Sequence, residues 1–291
     1  MQLNRKYILA LMRSHQYVKN LFIFLPLFFA LRITDIVLLE SAAFAFVAFS
    51  LAASGIYILN DYCDIEDDRQ HPEKKDRPLA TGAVSKPQAV KMMIFLLAAG
   101  FILMLLLSGK AAAVLAVYVT MNIAYSFFLK HIAILDVIII AVGFVLRLFV
   151  GSYATGIPLS MWIVVMTFLL ALFMALAKRR DDVLIYLDTG KKTRNVVDGY
   201  NLQFLDTAMG IMASVVIVAY TIYTTSAEVV SRVHSEYLYL TALFVIVGIM
   251  RYLQIAFVLK DSGSPTRIVL KDRFMQLTIL GWGLTFAWIL Y

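Results

Sequence analysis

A run of amide and carboxylate side chains that begins at Asn60 has the spacing of a site for a divalent cation. Asn60, Asp64 and Asp68 follow one another at intervals of four residues, so a helical backbone presents all three from one face. Carboxylates this close repel one another unless a cation lies between them. Mg2+ takes oxygen ligands and commonly keeps phosphate oxygens in its coordination shell. The spacing therefore predicts a Mg2+ site that binds a diphosphate.

Basic residues follow these acids within the same polar segment. Among them, Lys74 and Arg77 are the two that we predict to neutralise substrate phosphates. The competing interpretation is a solvated acidic helix end whose charges pair with Arg69, Lys74 and Lys75. The regular spacing of the acids favours the metal site over this alternative.

A second charged run, Lys178 to Asp182, closes a later apolar segment. Asp182, with Asp181, is a candidate ligand for a second Mg2+, while Lys178 and Arg179 are candidates for binding phosphate oxygens. Taken alone, the run is equally typical of a charge cluster that stops membrane insertion. Its pairing with the first acidic run is what favours a chemical role.

Ionisable side chains inside apolar segments are costly, which makes them functional candidates by default. Asp136 lies one helical turn inside such a segment and is expected to face the site. Arg147, eleven residues further along, either binds an anion or extends its head group outward to water. Lys19, Tyr125 and Lys130 lie where apolar segments meet the predicted inner surface, and we expect them to complete a polar rim.

The elements that must position these residues are membrane helices. The chain of 291 residues is 62% hydrophobic and 15% charged, with a mean hydropathy of +0.82, which excludes an ordinary soluble domain. Apolar stretches of about 20 residues, the length that crosses a bilayer, recur along it. We predict an all-α polytopic protein with a single transmembrane domain over residues 1–291. Its nine predicted spans are 20–37, 39–60, 88–107, 111–129, 132–153, 161–180, 207–225, 237–259 and 272–290.

Charge and cysteine content exclude several other classes of protein. The net charge of +7 reflects basic residues beside the spans, which set topology, and does not indicate nucleic-acid binding. Cys63 is the single cysteine, so no internal disulfide forms and zinc or redox chemistry is unsupported. The first apolar run, residues 21–31, lacks a small-residue cleavage site, and we expect no cleaved signal peptide.

The distribution of basic residues predicts the orientation. With the N-terminus inside, all but four of the 26 Lys and Arg residues fall in inner segments, as expected for cytoplasmic loops. The two long inner loops, 61–87 and 181–206, contain most of the acids. We therefore predict a multi-pass protein of a bacterial-type inner membrane, with its N-terminus and active site on the cytoplasmic side. The four exceptions are Arg32, Lys110, Arg147 and Arg232.

The acidic run resembles the first motif of the UbiA superfamily of membrane prenyltransferases, N-D-x-x-D-x-x-x-D. Asn60, Asp61, Asp64 and Asp68 match it in full, and the resemblance extends over essentially the whole chain. It implies nine helices around a central cavity that is open to the cytoplasm and to lipid, with Mg2+ between two acidic motifs. Asp61 thereby joins the predicted metal ligands. The predicted catalytic residues are Asp64, Asp68 and Asp182.

Several further stretches look like one branch of that superfamily, the decaprenyl-phosphate phosphoribosyltransferases, rather than the branch that prenylates 4-hydroxybenzoate. The second acidic motif departs from the pattern, because a clean D-x-x-x-D is absent and Asp181-Asp182 stands where that branch typically has Ala-Glu. The stretches that carry the resemblance are Tyr17 to Asn20, His71 to Pro78, Tyr125 to Lys130, Leu135 to Val137, Gly143 to Arg147, and Lys178-Arg179.

The resemblance implies a reaction and two kinds of substrate. Phosphoribosyl pyrophosphate would donate 5-phosphoribose to the phosphate of a polyprenyl phosphate lipid, releasing diphosphate for cell-envelope glycan synthesis. Mg2+ would stabilise the departing diphosphate. Two alternatives stay open: an aromatic prenyltransferase that uses polyprenyl diphosphate as donor, and a lipid or solute transporter whose charges line a pathway. The sequence leaves the oligomeric state open.

Overall fold

The computed structural model describes residues 5–70, 74–190, 195–259, 268–269 and 271–290. Within these ranges the chain is built from helices and contains no β-strand. It divides into two compact units, Met1–Val164 and Val165–Tyr291, which are considered separately below. Within the described ranges, seven helices are long and apolar enough to cross a bilayer. The protein is therefore a multi-pass membrane protein.

The first unit contains seven complete α-helices and two 3-10 segments among its described residues. The longest of these helices, α3 (Ile36–Cys63), packs against the 3-10 segment Ser14–Phe24. It also packs against α5 (Lys86–Leu107), α6 (Gly109–Phe127) and α7 (Leu135–Thr155). Its N-terminus is capped by Asp35, whose side chain accepts a hydrogen bond from the backbone of Leu38 at 3.3 Å. The elements are α1 (Arg5–Met12), the 3-10 segment Ser14–Phe24, α2 (Leu25–Phe29), α3 (Ile36–Cys63), α4 (Ile65–Gln70), α5 (Lys86–Leu107), α6 (Gly109–Phe127), the 3-10 turn Leu129–His131 and α7 (Leu135–Thr155).

Small residues allow α3 and α5 to approach closely. Ala45, Ala48 and Ala52 of α3 are fully buried, and Gly100 of α5 faces them. A Cβ atom at Gly100 would lie 2.7 Å from the carbonyl oxygen of Ala48, closer than real Cβ atoms come. The pair of helices thus follows the small-residue packing that is typical of membrane proteins.

Among its described residues, the second unit contains the rest of α8 (Met161–Thr189) and four further complete α-helices. In this unit α11 (Thr241–Phe257) packs against α9 (Leu202–Thr225) and α12 (Arg273–Leu290). A buried hydrogen-bond chain joins all three, because Trp282 Nε1 donates to Tyr220 Oη at 2.7 Å and Tyr220 Oη lies 2.8 Å from Thr241 Oγ1. The elements are α8 (Met161–Thr189), the 3-10 turn Asn195–Gly199, α9 (Leu202–Thr225), α10 (Ala227–Val233), the 3-10 turn Tyr237–Leu240, α11 (Thr241–Phe257) and α12 (Arg273–Leu290).

The helices differ from the predicted spans in two places. Residues 20–37 do not form one helix, because the 3-10 segment Ser14–Phe24 and the short α2 occupy most of this range. α8 continues to Thr189, so the first part of the predicted inner loop 181–206 is helical. The helix extends because an i,i+3 ion pair, Arg179–Asp182, and the buried Val183 stabilise this part of it. The total of nine spans stays a prediction.

Candidate active site

The acidic run lies at the junction of α3 and α4, where the backbone remains helical. The amide of Asp64 donates to the carbonyl of Asn60 at 3.0 Å, and the amide of Asp68 donates to that of Asp64 at 2.8 Å. Asn60, Asp64 and Asp68 therefore lie on successive turns, although α3 ends at Cys63 and α4 begins at Ile65. Their oxygen-bearing side chains therefore form one row, called the acidic row below.

Asp64 pairs with one neighbour on its own helix and with one distant cation. Asn60 Nδ2 donates to Asp64 Oδ2 at 2.9 Å. Lys130, in the turn after α6, forms an ion pair with Asp64 Oδ1. Folding therefore brings a lysine of the predicted polar rim directly to the acidic row.

Asp61 and Asp68 share one guanidinium group, that of Arg77. Arg77 Nη1 lies 2.6 Å from Asp68 Oδ2 and 3.0 Å from Asp61 Oδ1. Arg13 forms a second ion pair with Asp61 Oδ1. Both carboxylates are buried, Asp61 at 2% and Asp68 at 3% exposure, so these cations replace the water that would otherwise stabilise the charges.

The surroundings of Asp68 pull its pKa in two directions. Burial raises the pKa of this carboxyl above its ordinary value, and the nearby Asp64 charge acts in the same direction. Arg77 and Lys74 act in the opposite direction. Lys74 thus lies near enough to Asp68 to affect the pKa of this carboxyl.

Arg147 is buried at 5% exposure inside the first unit, so it does not reach outward to water. Its guanidinium donates to Asn20 Oδ1 at 2.8 Å, to the carbonyl of Gly143 at 2.6 Å and to Tyr118 Oη at 3.3 Å. The rings of Phe49, Tyr118 and Phe144 also surround it, with centroids 4.9 to 5.3 Å from Cζ. Asn20 thereby ties the 3-10 segment to α7.

The 3-10 segment places Lys19 beside this buried arginine. Side chains three residues apart line up in a 3-10 helix, and two of them bond α3: Tyr17 Oη lies 2.9 Å from Ser54 Oγ, and Asn20 Nδ2 donates to Ser50 Oγ at 2.9 Å. Burial lowers the pKa of Lys19 to about 8, helped by the charges of Arg147 and Arg13.

The other predicted residues of the first unit occupy α6 and α7. Tyr125 is half-buried near the C-terminal end of α6, and Asp136 is fully buried in the first turn of α7. An acid in a first turn is stabilised by the helix dipole. Three members of the motif His71 to Pro78, residues 71–73, lie outside the described residues.

In the second unit, Arg179 and Asp182 form a buried pair. Arg179 Nη1 lies 2.5 Å from Asp182 Oδ2, whereas Lys178 is exposed. Arg180 forms a neighbouring pair that the sequence analysis did not single out. It lies 2.6 Å from Asp206 Oδ1 and donates to the carbonyl of Ala256 at 2.7 Å.

Comparison with known proteins decides the family. The family model described as "UbiA prenyltransferase family" matches residues 21–280. The chain belongs to the UbiA prenyltransferase family. It is therefore a transferase, and the transporter alternative has no support.

Members of known function are similar over most of the chain. A decaprenyl-phosphate phosphoribosyltransferase of Mycolicibacterium smegmatis is 34% identical over 244 residues, which are 82% of this chain and 76% of the relative. One from Mycobacterium tuberculosis is 30% identical over 282 residues, 94% of this chain and 91% of the relative. The UbiA homologue of Archaeoglobus fulgidus, solved with GPP and Mg2+, is 20% identical, with a TM-score of 0.74 and coverage of 97% and 99%.

The donor atoms of the acidic row in this UbiA-family chain fit Mg2+. Asn60, Asp64 and Asp68 offer only oxygens, the ligands that this ion prefers. Across the described ranges, no group of three or more His, Cys, Asp or Glu side chains is arranged to hold a metal. The carboxylates of the row are instead paired with Lys130 and Arg77, so these cations must yield when a metal binds.

Arg13 is the site residue that the sequence analysis missed. It was counted there only among the basic residues before the first span. Its partner Asp61 is 48 residues away, and no local spacing connects the two. Only the packing of the N-terminal segment against α3 reveals the contact.

Proposed function

We propose that the protein transfers 5-phosphoribose from phosphoribosyl pyrophosphate to a polyprenyl phosphate, as part of cell-envelope glycan synthesis. The observation that carries this proposal is the interleaving of oxygen ligands and cations around Asp64 and Asp68. Such a site suits a metal-bound diphosphate. The curated relatives at 30% to 34% identity favour phosphoribose as the group that is transferred.

In this proposal Asn60, Asp64 and Asp68 hold Mg2+. When bound, the ion would neutralise charge on the departing diphosphate. Backbone hydrogen bonds place the three ligands on successive turns across the junction of α3 and α4, so the backbone holds them side by side. The Mg2+ seen with GPP in the Archaeoglobus fulgidus homologue supports a divalent metal here.

The cations of the site bind the phosphate oxygens of the substrates. Arg77 and Lys130 now neutralise carboxylates, and Lys74 lies close to Asp68. Once those carboxylates become metal ligands, the same cations are available to phosphate. Arg147 and Lys19 provide further positive charge in the same unit.

The reaction requires little acid-base chemistry from the protein. The bond between C1 of ribose and the diphosphate oxygen breaks, and a bond from C1 to a phosphate oxygen of the lipid forms. Because the lipid phosphate is already anionic at neutral pH, no general base is needed. The protein contributes positioning and charge stabilisation.

The remaining assignments complete the proposal. Asp182 is proposed as a further metal ligand, Lys178 and Arg179 as phosphate-binding residues, and Tyr125 and Asp136 as substrate-positioning residues. We also propose insertion in a bacterial-type inner membrane with the active site on the cytoplasmic side. The concentration of basic residues in one set of connections supports this orientation.

The decisive experiment is transfer of radiolabel from phosphoribosyl pyrophosphate to lipid. Purified protein is incubated with Mg2+, polyprenyl phosphate and the labelled donor, with and without a chelator, and the organic phase is counted. We expect label in the lipid that disappears with the chelator. Protein that is folded and yet transfers no label would contradict the proposal.

Aromatic prenyl transfer is the second candidate. GPP, a prenyl diphosphate, is bound in the Archaeoglobus fulgidus homologue, and the leaving group would be the same. Movement of label from a polyprenyl diphosphate to an aromatic acid, without any transfer of phosphoribose, would favour this candidate.

A further inference from the structure

Asp61 differs from the other acids of the site in the number of cations that surround it. Two guanidinium groups bond the same oxygen, Oδ1: that of Arg13 through Nη2, and that of Arg77 through Nη1 at 3.0 Å. Asp64 has one ammonium and one neutral amide as partners. A divalent cation brought to Asp61 would be repelled by both guanidinium groups. The two guanidinium groups already neutralise the charge of Asp61 without a metal.

Arg13 is held in place by its backbone and by two contacts on α3. It adopts a left-handed conformation, with φ +50°, at the junction between α1 and the 3-10 segment. Its guanidinium lies 5.4 Å from the ring centroid of Tyr57, and Tyr57 precedes Asp61 by one helical turn. A non-glycine residue keeps this conformation only where the surrounding contacts determine it.

Arg77 joins Asp61 to the acidic row. The same nitrogen, Nη1, contacts Asp61 and Asp68, and the side chain of Arg77 is 24% exposed. If Asp68 ligates metal, Arg77 loses one of its two carboxylate partners. Asp61 is then the residue that keeps the guanidinium in place while it turns to a phosphate oxygen.

We propose that Asp61 is a positioning residue and not a metal ligand: paired with Arg13, it holds Arg77 where that guanidinium binds the phosphates of the donor. The inference rests on the proposed function and adds the N-terminal segment to the elements that build the donor site. A purely structural ion pair would stabilise the fold and leave donor affinity unchanged.

The test compares metal binding with donor binding in purified full-length protein. Mn2+ binding is followed by the loss of the electron paramagnetic resonance signal of free Mn2+, and binding of phosphoribosyl pyrophosphate by calorimetry. We expect Asp61→Asn to keep the Mn2+ midpoint within about twofold and to weaken donor binding about tenfold, the size of a lost charge-assisted hydrogen bond. Asp64→Asn should weaken Mn2+ binding by more than about tenfold.

A double variant guards against misfolding. Asp61→Asn alone leaves Arg13 without its buried counter-charge, whereas Arg13→Gln with Asp61→Asn removes both charges together. The double variant should elute and melt like wild type and still bind the donor about tenfold more weakly. Arg32→Gln, which removes an exposed ion pair with Asp35, is the matched control and should change nothing.

Two outcomes overturn the proposal. One is an Asp61→Asn variant that loses Mn2+ as Asp64→Asn does, and the other is a well-folded double variant that binds the donor like wild type. If wild-type protein itself binds no phosphoribosyl pyrophosphate, the proposed function fails. The Mn2+ comparison then still decides whether Asp61 is a metal ligand.

Discussion

Asp64 and Asp68 lie one helical turn apart, yet they pair with different cations. Lys130 neutralises the first and Arg77 the second. With these ion pairs, the row is close to electrical neutrality. Binding of a metal and a diphosphate adds charges of both signs and allows these pairs to exchange partners. Metal ligands and phosphate-binding cations are thus distinguished residue by residue.

Removing either charge of the row should abolish turnover. Asp64→Asn and Asp68→Asn keep the side-chain size and remove the charge that would hold the metal, and we expect activity to fall about 100-fold or more. Both variants should stay folded and inserted, with a lower thermal midpoint because Lys130 or Arg77 loses a paired carboxylate. Glu66→Gln, at an exposed acid of the same helix paired with Arg69, is the control. Wild-type activity in both aspartate variants would remove the metal assignment.

Lys19 should impose a limit on activity at alkaline pH. Its pKa is lowered to about 8, so its charge is lost as pH rises through that value. If Lys19 binds phosphate, kcat/KM for the donor falls above about pH 8, since this parameter reports ionisations of the free enzyme. Lys19→Arg keeps its charge throughout this pH range, so its kcat/KM should not fall above about pH 8. An unchanged pH profile in Lys19→Arg would show that another group causes it.

At the scale of elements, the 3-10 segment Ser14–Phe24 is the part of the first unit that depends most on its neighbours. Runs of 3-10 helix this long are uncommon, because the geometry of their hydrogen bonds is poor. Here the segment is fixed by bonds to Ser50 and Ser54 of α3 and to Arg147 of α7. Tertiary contacts therefore compensate for a weak local structure.

Close approach at Gly151 is the most sensitive point of this docking. A Cβ atom there would overlap the carbonyl oxygen of Ile23, so Gly151→Ala must displace the segment. We expect a loss of about 1–3 kcal/mol, typical of overpacking, seen as a lower thermal midpoint in detergent. Gly210→Ala, in a helix where the added methyl would meet nothing within 4 Å, is the control. A midpoint equal to that of the control would show that the segment tolerates displacement.

At the scale of the whole molecule, the described helices define a multi-pass membrane protein. Seven helices of the described part of the chain are long and apolar enough to be spans. The predicted first span, 20–37, overlaps the end of the 3-10 segment and α2, and the predicted ninth span corresponds to α12. In the second unit, Arg251 of α11 forms an ion pair with Asp272, the residue just before α12, at 2.6 Å.

The orientation can be tested with single cysteines. Cys63 is replaced by Ser, and Lys75→Cys or Lys110→Cys is introduced into that background. A membrane-impermeant maleimide applied to intact cells should label position 110 and spare position 75, because the positive-inside rule places the first outside and the second inside. Labelling of both positions should require permeabilised cells. The reverse pattern would invert the proposed topology.

The sequence by itself determined the class of protein, its family and the core of the acidic row. These features depend on neighbouring residues: hydropathy over about 20 residues predicts a span, and a four-residue interval predicts one helical face. The basic residues could not be sorted in the same way, because a cation that sets topology and one that binds a carboxylate look alike in sequence.

Only the tertiary structure decided which polar partner each cation meets. Lys130 and Asp64 are 66 residues apart, Arg13 and Asp61 are 48 apart, and Arg147 and Asn20 are 127 apart. These distances are closed by helix packing, which depends on many small contacts such as that between Gly151 and Ile23. A buried charge must find a partner or pay a large desolvation penalty, but the identity of that partner follows from the fold and not from the local sequence.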